Sequence, residues 1–453
     1  MRTLLRVSMT TGTCLFEPLP ASLAMTGGRG LASLLVASAL PGSASGETNP
    51  LSPSNPLVIA PGLVCGSGCA SSGRTAVACK SPTDGILPNA NAGGMPGMYL
   101  AMLDIAALVI EGAGKPGTWL ELVIDENGAE LLPSIVGGCN TYEAMSALAN
   151  RHGGICAFMT IGRAGEVCLP MAGIAFSDTN GLPARHAGGG SGAVMGSKGL
   201  KAICIRRAQK THALRNEAFT AAAKHFADQL HAHKAATTER TVRKGCAPGC
   251  VLECRDGTDG KANSNNGMGK WPEYTTLWGD PHRPECEDAA NLARYAFLCN
   301  DLGVDAFVVG TMLARLHKEG RLAQGNAKGA LDILEDMSRS PLASVLFEHM
   351  ATSASLDASE TEKSYDNTEA TKRFYREHTE EHAILDSLGI CLFASTALNE
   401  NPAVRDALVG MLNARFGLSL SFDDLRAAAH AVLRTELAFA HPHECDGGDH
   451  EHE

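Results

Sequence analysis

Aromatic side chains are scarce in this chain, 5% of 453 residues, which argues against base-stacking platforms for nucleic acid. Basic runs are missing too: none exceeds a few residues, and the formal net charge is −11. Neither nucleic acid nor an anionic membrane is therefore an expected partner. Long apolar runs are also absent, with no stretch of about 18 or more residues, so no transmembrane helix is expected. What the chain has in plenty is glycine, 49 residues, and cysteine, 15. The cysteine count is odd, and several thiols sit in apolar settings such as GGICAF and LKAICI. That usage fits a reducing, cytoplasmic setting with a few ligand cysteines better than a disulfide framework.

The chain is too long for one ordinary core, so two or three domains are expected. Residues 2–17 read as two strands around the Thr10-Thr11-Gly12 turn. Residues 30–45 have the outline of a signal-peptide apolar region, but the charged start is weak and about 28 residues precede it. The competing reading is an amphipathic helix opened by Gly27-Gly28-Arg29-Gly30. Short strands follow in PLVIAPG, GRTAVACKS, AALVIEG, WLELVIDENGAELLP, ICAFMTIG and KAICIRR, with one helix, TYEAMSALANRHG, between them. After about residue 207 the apolar period becomes helical, as in FTAAAKHFADQLHAH. The pattern is an α+β fold, strand-rich first and mostly helical afterwards. The final acidic, histidine-rich residues 441–453 read as a disordered tail, or as a weak metal scavenger through four histidines and Cys445.

Three motifs carry possible chemistry. Cys246, Cys250 and Cys254 lie in GCAPGCVLEC, and Cys391 lies in DSLGIC. Three close thiols and a remote one can supply an iron–sulfur cluster, with a zinc site or unliganded thiols as alternatives. The stretch RHAGGGSGAVMGSKGLKAI carries glycines at 188, 189, 190 and 192, whose backbone amides suit a phosphate; a tight turn between packed elements is the other reading. The third is a repeated turn, Asn300 to Asp305 and Asp386 to Cys391, each following a helix. The plain reading is two glycine helix stops. The alternative is two grips on a quasi-symmetric ligand.

These motifs, with KSPTDGILPNANAGG, GGRGLA, WPEYTTLW and CNDLGVDAF, occur in the order of the aldehyde ferredoxin oxidoreductase family. The chain resembles that family over about residues 3–205, 243–310 and 375–440. The resemblance implies tungsten or molybdenum held between two pterin dithiolenes beside a 4Fe-4S cluster. It implies a β-sandwich-like N-terminal base, here 1–207, under two mostly helical domains, 208–310 and 311–440. It also places GGRGLA inside the first domain, so export is not expected.

Carried over by position, Arg74 and Arg185 resemble the arginines that neutralise pterin phosphates. Asn91, Gly93, His186 and Gly188 fall where backbone groups surround those phosphates and a bridging magnesium. Asn300, Asp305, Asp386 and Ile390 fall on the two pterin-holding turns, and Cys246, Cys250, Cys254 and Cys391 on the cluster ligands. The implied reaction oxidises an aldehyde, or another oxo donor, to a carboxylate and passes electrons to ferredoxin or a similar acceptor. A homo-oligomer is left open, without evident residues for an intersubunit iron.

Four departures bear on this. The loop is C-x3-C-x3-C where the family has C-x2-C-x3-C, and AGGGSG lacks the second arginine of AGRGG. Thr275 stands where the family has a glutamate, leaving Glu273 as the nearest carboxylate. Only 80 residues separate Asp305 from Asp386, without the family's histidine motif. His349 and His378 are its substitutes by proximity in sequence; His378 and His382 would share a helix face, for which a solvated or core role is the plainer reading. A non-catalytic, cofactor-binding paralogue and a structural zinc protein are the competing functional readings.

Overall fold

The computed structural model describes residues 2–41, 49–88, 90–153, 155–208, 217–237, 247–252, 289–306, 308–310, 313, 316, 319–323, 327–339 and 369–440. The N-terminal part runs β1 (Thr3–Ser8), β2 (Thr13–Pro18), α1 (Gly28–Ala39), β3 (Leu57–Pro61), β4 (Arg74–Ala78), β5 (Ala90–Gly93), α2 (Pro96–Met102) and β6 (Ile105–Glu111). It continues with β7 (Leu120–Asp125), β8 (Gly128–Pro133), α3 (Thr141–His152), β9 (Cys156–Thr160), α4 (Arg163–Glu166), β10 (Ile174–Ser177), β11 (Pro183–Ala187), α5 (Ser191–Ser197) and β12 (Leu200–Arg206).

These strands form two six-stranded sheets, β2-β1-β6-β3-β4-β5 and β8-β7-β12-β9-β10-β11. Adding six to each strand number of the first gives the second. The pairing senses also match: β1/β6 and β7/β12 are parallel, and every other pair is antiparallel. The N-terminal part is thus a topological repeat.

Alternation along the strands explains the layering. Leu5, Val7, Ile59 and Leu108 of the first sheet share one core with Leu122, Ile124, Met159 and Ile203 of the second. The residues that alternate with them turn outward. Val58, Ala60, Ala76 and Val109 pack under Leu31, Ala32 and Val36 of α1. Val123, Phe158 and Ala202 pack under Ala144, Met145 and Leu148 of α3. The inner strands of each sheet, such as β3, β6 and β12, are buried on both faces, so they read as apolar runs. The β-sandwich-like base and the α+β class are both seen.

The helical part adds α6 (Glu217–Thr237), α7 (Ala289–Leu302), α8 (Ala327–Arg339), α9 (Glu369–Leu388), α10 (Ser395–Glu400), α11 (Pro402–Phe416) and α12 (Phe422–Ala440). Residues of α6, α9, α11 and α12 share a core with Val64 and Cys69 of the first half. Residues of α7 and α8 share another with Leu169, Met171 and Ala172 of the second half. Each sheet therefore carries its own helical cap. No helix among the described residues is long and apolar enough to cross a membrane.

Candidate cofactor site

The two repeated turns are the joints between cap and sheet. Both are helix stops on a glycine in the left-handed region, Gly303 at φ 73° and Gly389 at φ 81°. The amides of Gly303 and Val304 donate to the Cys299 carbonyl, and those of Gly389 and Ile390 donate to the Leu385 carbonyl. Docking is equally matched. The Gly389 carbonyl accepts from Arg74 N at 3.0 Å, and the Gly303 carbonyl accepts from Gly173 N at 2.9 Å. Two residues on, Cys391 N donates to the Ser71 carbonyl and Asp305 N to the Met171 carbonyl, both at 2.9 Å.

Close approach demands glycine on the sheet side. A Cβ at Gly62 would lie 2.1 Å from Gly389 Cα, and one at Gly162 would lie 2.0 Å from the Leu302 carbonyl oxygen. The helix starts meet the same turns: Gly30 N donates to Ser387 Oγ, and Tyr142 N donates to Asp301 Oδ1. Ser387 and Asp301 thus take up backbone donors in the first turns of α1 and α3.

Around the second turn of the chain the polar network is dense. Asp386, 4% exposed, accepts from Asn91 Nδ2 and lies 3.7 Å from the Arg29 guanidinium. Arg29 forms a two-pronged pair with Glu436 (2.9 and 2.7 Å), which also accepts from Ser33 Oγ. Burial raises the Asp386 pKa to about 6, against the pull of the Arg29 and Arg74 charges. Arg74 stands opposite Gly93 in the β4/β5 pair. Its Nη2 reaches the Asn91 carbonyl at 3.4 Å. Arg74 Nε and Asn91 Oδ1 are buried without a hydrogen-bond partner among the described residues. Unspent donors and acceptors at such depth are costly unless a ligand uses them.

At the other turn, Gly188 leaves β11 so close to Asp305 that a Cβ there would lie 2.3 Å from Asp305 Oδ2. Thr141 Oγ1 donates to the Asn300 carbonyl at 2.7 Å. His186 pairs in register with Ala175, and Arg185 with Phe176. The Arg185 side chain lies outside the described residues. The strands β5 and β11, at the ends of their sheets, pack against each other. The polar groups of the two halves therefore share one floor.

The Cys loop and Cys391 meet at Ser71. Ser71 N donates to the Gly249 carbonyl, Val251 N donates to Ser71 Oγ, and Ser71 Oγ lies 4.0 Å from Cys250 Sγ. Cys391 hangs on the same residue through its backbone. Cys246, Cys254, Glu273 and His349 lie outside the described residues. His378 falls on α9, but its side chain is not among those described. His382, one turn on, is half-buried.

No cluster of three or more His, Cys, Asp or Glu side chains arranged for a metal occurs among the described residues. Two thiols, Cys250 and Cys391, thus stand for the expected four. Two others lie nearby: Cys65 Sγ donates to the Arg74 carbonyl at 3.1 Å, and Cys69 belongs to the same core as Cys391. Burial pushes both up to about 12, which keeps them thiols at neutral pH.

Sequence reading missed Arg29, Glu436 and Ser71. Arg29 was visible as the one charge within GGRGLA, but its partner is 407 residues away. Ser71 carries no sequence signal beyond its place in a small-residue run, although its φ of 55° marks it in the structure.

Residues 4–207 match the family described as aldehyde ferredoxin oxidoreductase, N-terminal domain, and residues 184–341 match domains 2 and 3 of the same family. The chain belongs to the aldehyde ferredoxin oxidoreductase family, a family of oxidoreductases. Among similar curated proteins, the tungsten-containing aldehyde ferredoxin oxidoreductase of Pyrococcus furiosus is 26% identical over 369 residues, 70% of this chain and 59% of that one. That of Thermococcus kodakarensis is 26% identical over 370 residues, with the same coverage. The enzyme of Pyrococcus abyssi is 35% identical over 209 residues, 45% of this chain and 32% of that one. The chain thus spans about three fifths of the length of the first two relatives. Among solved structures, the active site complex BamBC of benzoyl coenzyme A reductase with 1,5-dienoyl-CoA aligns with a TM-score of 0.73. That alignment has 17% identity and covers 97% of this chain and 88% of that one; it shows the fold.

Proposed function

We propose that the chain is a tungsten- or molybdenum-pterin oxidoreductase that oxidises an aldehyde, or another oxo donor, to a carboxylate and hands electrons to ferredoxin or a similar acceptor. The observation that carries this reading is the pair of matched turns over one polar floor, one of them ending in Cys391 beside the Cys250 loop.

Arg74 and Arg185 would neutralise the pterin phosphates, and the orphaned Arg74 Nε and Asn91 Oδ1 fit that use. Asn91, Gly93, His186 and Gly188 would offer backbone groups to the phosphates and a bridging magnesium. Asn300 and Asp305 would hold one pterin, Asp386 and Ile390 the other. Cys391, with Cys246, Cys250 and Cys254, would hold a 4Fe-4S cluster at the joint. When bound, these groups supply oxygen transfer at a carbonyl carbon and a path for two electrons.

The chain's own work is then to bind, orient and keep water out. Asp386, with its pKa near 6, holds or releases a proton close to neutral pH, and Arg29 and Asn91 fix its carboxylate. Glu273, His349 and His378 are the proposed proton carriers near substrate, since Thr275 replaces the family glutamate.

The test is metal and sulfide analysis of protein isolated anaerobically from cells given tungstate and molybdate. Stoichiometric tungsten or molybdenum, about four irons and acid-labile sulfide are expected, with aldehyde-dependent reduction of a viologen dye. Absence of both heavy metals would sink the reading. Zinc in place of iron would favour a structural site instead. A full metal complement without dye reduction, for any aldehyde, would favour the second reading, a cofactor-binding paralogue without turnover, which Thr275 motivates.

A further inference from the structure

A cavity of about 690 Å³ shares none of its lining with Arg74, Asn91, Gly93 or residues 185–188. It lies between Gly62 and Leu63, the α2 face, the Cys-loop residues Pro248 and Gly249, and the end of α11. Its volume falls within the roughly 300–1,000 Å³ of small-molecule sites.

Three arginines line it, Arg2, Arg207 and Arg415, against a single carboxylate, Asp104. In a chain of net charge −11 that surplus of positive charge needs an explanation. Arg415 is positioned by aromatic contacts, its guanidinium 5.2 Å from the Phe219 ring and 5.3 Å from that of Phe416. It makes no hydrogen bond or ion pair among the described residues, and its Nε is buried. Arg2 spends two nitrogens on the Thr26 carbonyl and keeps a buried Nε without a partner there. Burial, and then the Arg415 charge, weaken Arg2's hold on its proton, with Asp104 opposing. Two cations that repel each other, each with a buried Nε lacking an acceptor among the described residues, are the arrangement that an anion relieves.

The remaining wall is of a different kind. Met95, Met98 and Met102 line it beside the Tyr99 ring. Thioethers adapt to varied apolar shapes and favour aromatic contact.

We propose that this cavity binds a small organic anion: a phosphate or carboxylate taken by the three arginines, joined to an apolar or aromatic body laid on the methionines. The site is independent of the pterin reading. Its occupant would touch Pro248 and Gly249, so it would also brace the Cys loop.

The experiment is calorimetric titration of the full chain with ADP, octanoate and inorganic phosphate at low and high salt. ADP or octanoate is expected to bind with a Kd below about 1 mM, weaker at high salt, and at least about tenfold tighter than inorganic phosphate. Binding by ADP alone assigns an organic phosphate, and by octanoate alone a carboxylate; either supports the proposal. Arg415→Gln should weaken binding at least about tenfold, Arg415→Lys less, and Met98→Glu should abolish it. Arg207 is exposed, so Arg207→Gln tests the same cation surplus without risk to folding, with an expected loss of about threefold or more. No binding of either organic anion at 5 mM overturns the proposal. So does binding indifferent to Arg207→Gln, or inorganic phosphate binding as tightly as both.

Discussion

The two halves of the N-terminal base hold their turns with the same backbone and different side chains. Gly28 and Thr141 open corresponding helices, and Asp386 and Asn300 occupy corresponding turn positions. On the first half, Arg29 follows the helix start and joins Asp386 and Glu436 in a buried charge network. On the second half, Tyr142 stands in that place and stacks on Phe297, with ring centroids 4.9 Å apart and planes at 21°. The final turn positions differ too: Cys391 against Ser71, Asp305 against Gly188. Main-chain docking is therefore what the scaffold requires, and side chains are where each half is specialised. At the turns themselves, the half that carries Cys391 is the one with the buried Arg29–Asp386–Glu436 network.

The largest expected effect breaks both halves alike. Gly62→Val and Gly162→Val each drive a side chain into the opposing turn's backbone, at 2.1 and 2.0 Å, where no side chain can yield. Each should cost about 4 kcal/mol or more, read as lost expression or a collapsed urea midpoint. A tolerated valine at either site would refute the docking geometry of that half.

The next change separates the halves. Arg29→Met removes the nearest cation from buried Asp386 and half-buried Glu436, a loss of about 3 kcal/mol. Tyr142→Leu keeps the apolar volume and forfeits the ring stack, about 1 kcal/mol. Urea unfolding at two pH values distinguishes them. The Arg29 variant should regain stability as its carboxylates protonate, and the Tyr142 variant should show no such recovery.

Asp386 gives a third test, in pH alone. Its pKa rises from 3.8 to about 6 on folding. The native state therefore binds a proton more tightly than the unfolded chain does. This contribution is fully present below about 3.8 and is lost as pH rises through about 6, on the order of 3 kcal/mol in all. Asp386→Asn should remove that slope, so the variant gains on the parent protein between pH 4 and pH 7. A parent and variant with parallel melting curves across that window would show that Asp386 does not titrate there. Asn300→Ala on the other half should leave the pH slope of stability as it is.

Much of this comparison was legible in the sequence, and some was not, for physical reasons. The Asp/Asn-x-Leu-Gly-aliphatic pattern announced two equal turns because a glycine stop needs glycine at one place. Hairpins such as β7/β8 around Asn127-Gly128 were legible for the same local reason. The topological repeat was not, because sheet order depends on pairings far apart in the chain, such as β1 with β6. Strands β5, β10 and β11 were missed because they are short, and β5 and β11 also carry Gly, Pro or charge. Of the candidate site, Arg74, Asn91, Gly93, Gly188, Asp305, Asp386 and Cys391 were proposed through motif order, and each lies at or beside the two turns. The Arg29–Glu436 pair was not, since nothing local in α12 marks Glu436 as a buried partner.

Ser71 gives the smallest and most local prediction, and it bears on the one contrast that side chains alone decide. Its carbonyl holds Cys391 N and its hydroxyl accepts from Val251 N, so one residue ties the Cys loop to the turn. It does so at φ 55°, a conformation that costs any residue with a Cβ. Ser71→Ala removes the hydroxyl and keeps the strain, a loss of about 1 kcal/mol. Ser71→Gly removes the hydroxyl and relieves the strain, so about half of that loss should return. Iron content should then follow the hydroxyl and not the stability, falling in both variants relative to the parent protein. If Ser71→Gly retained full iron, Cys250 would be positioned by its own loop, and the joint between the Cys loop and the turn would rest on Cys391 alone.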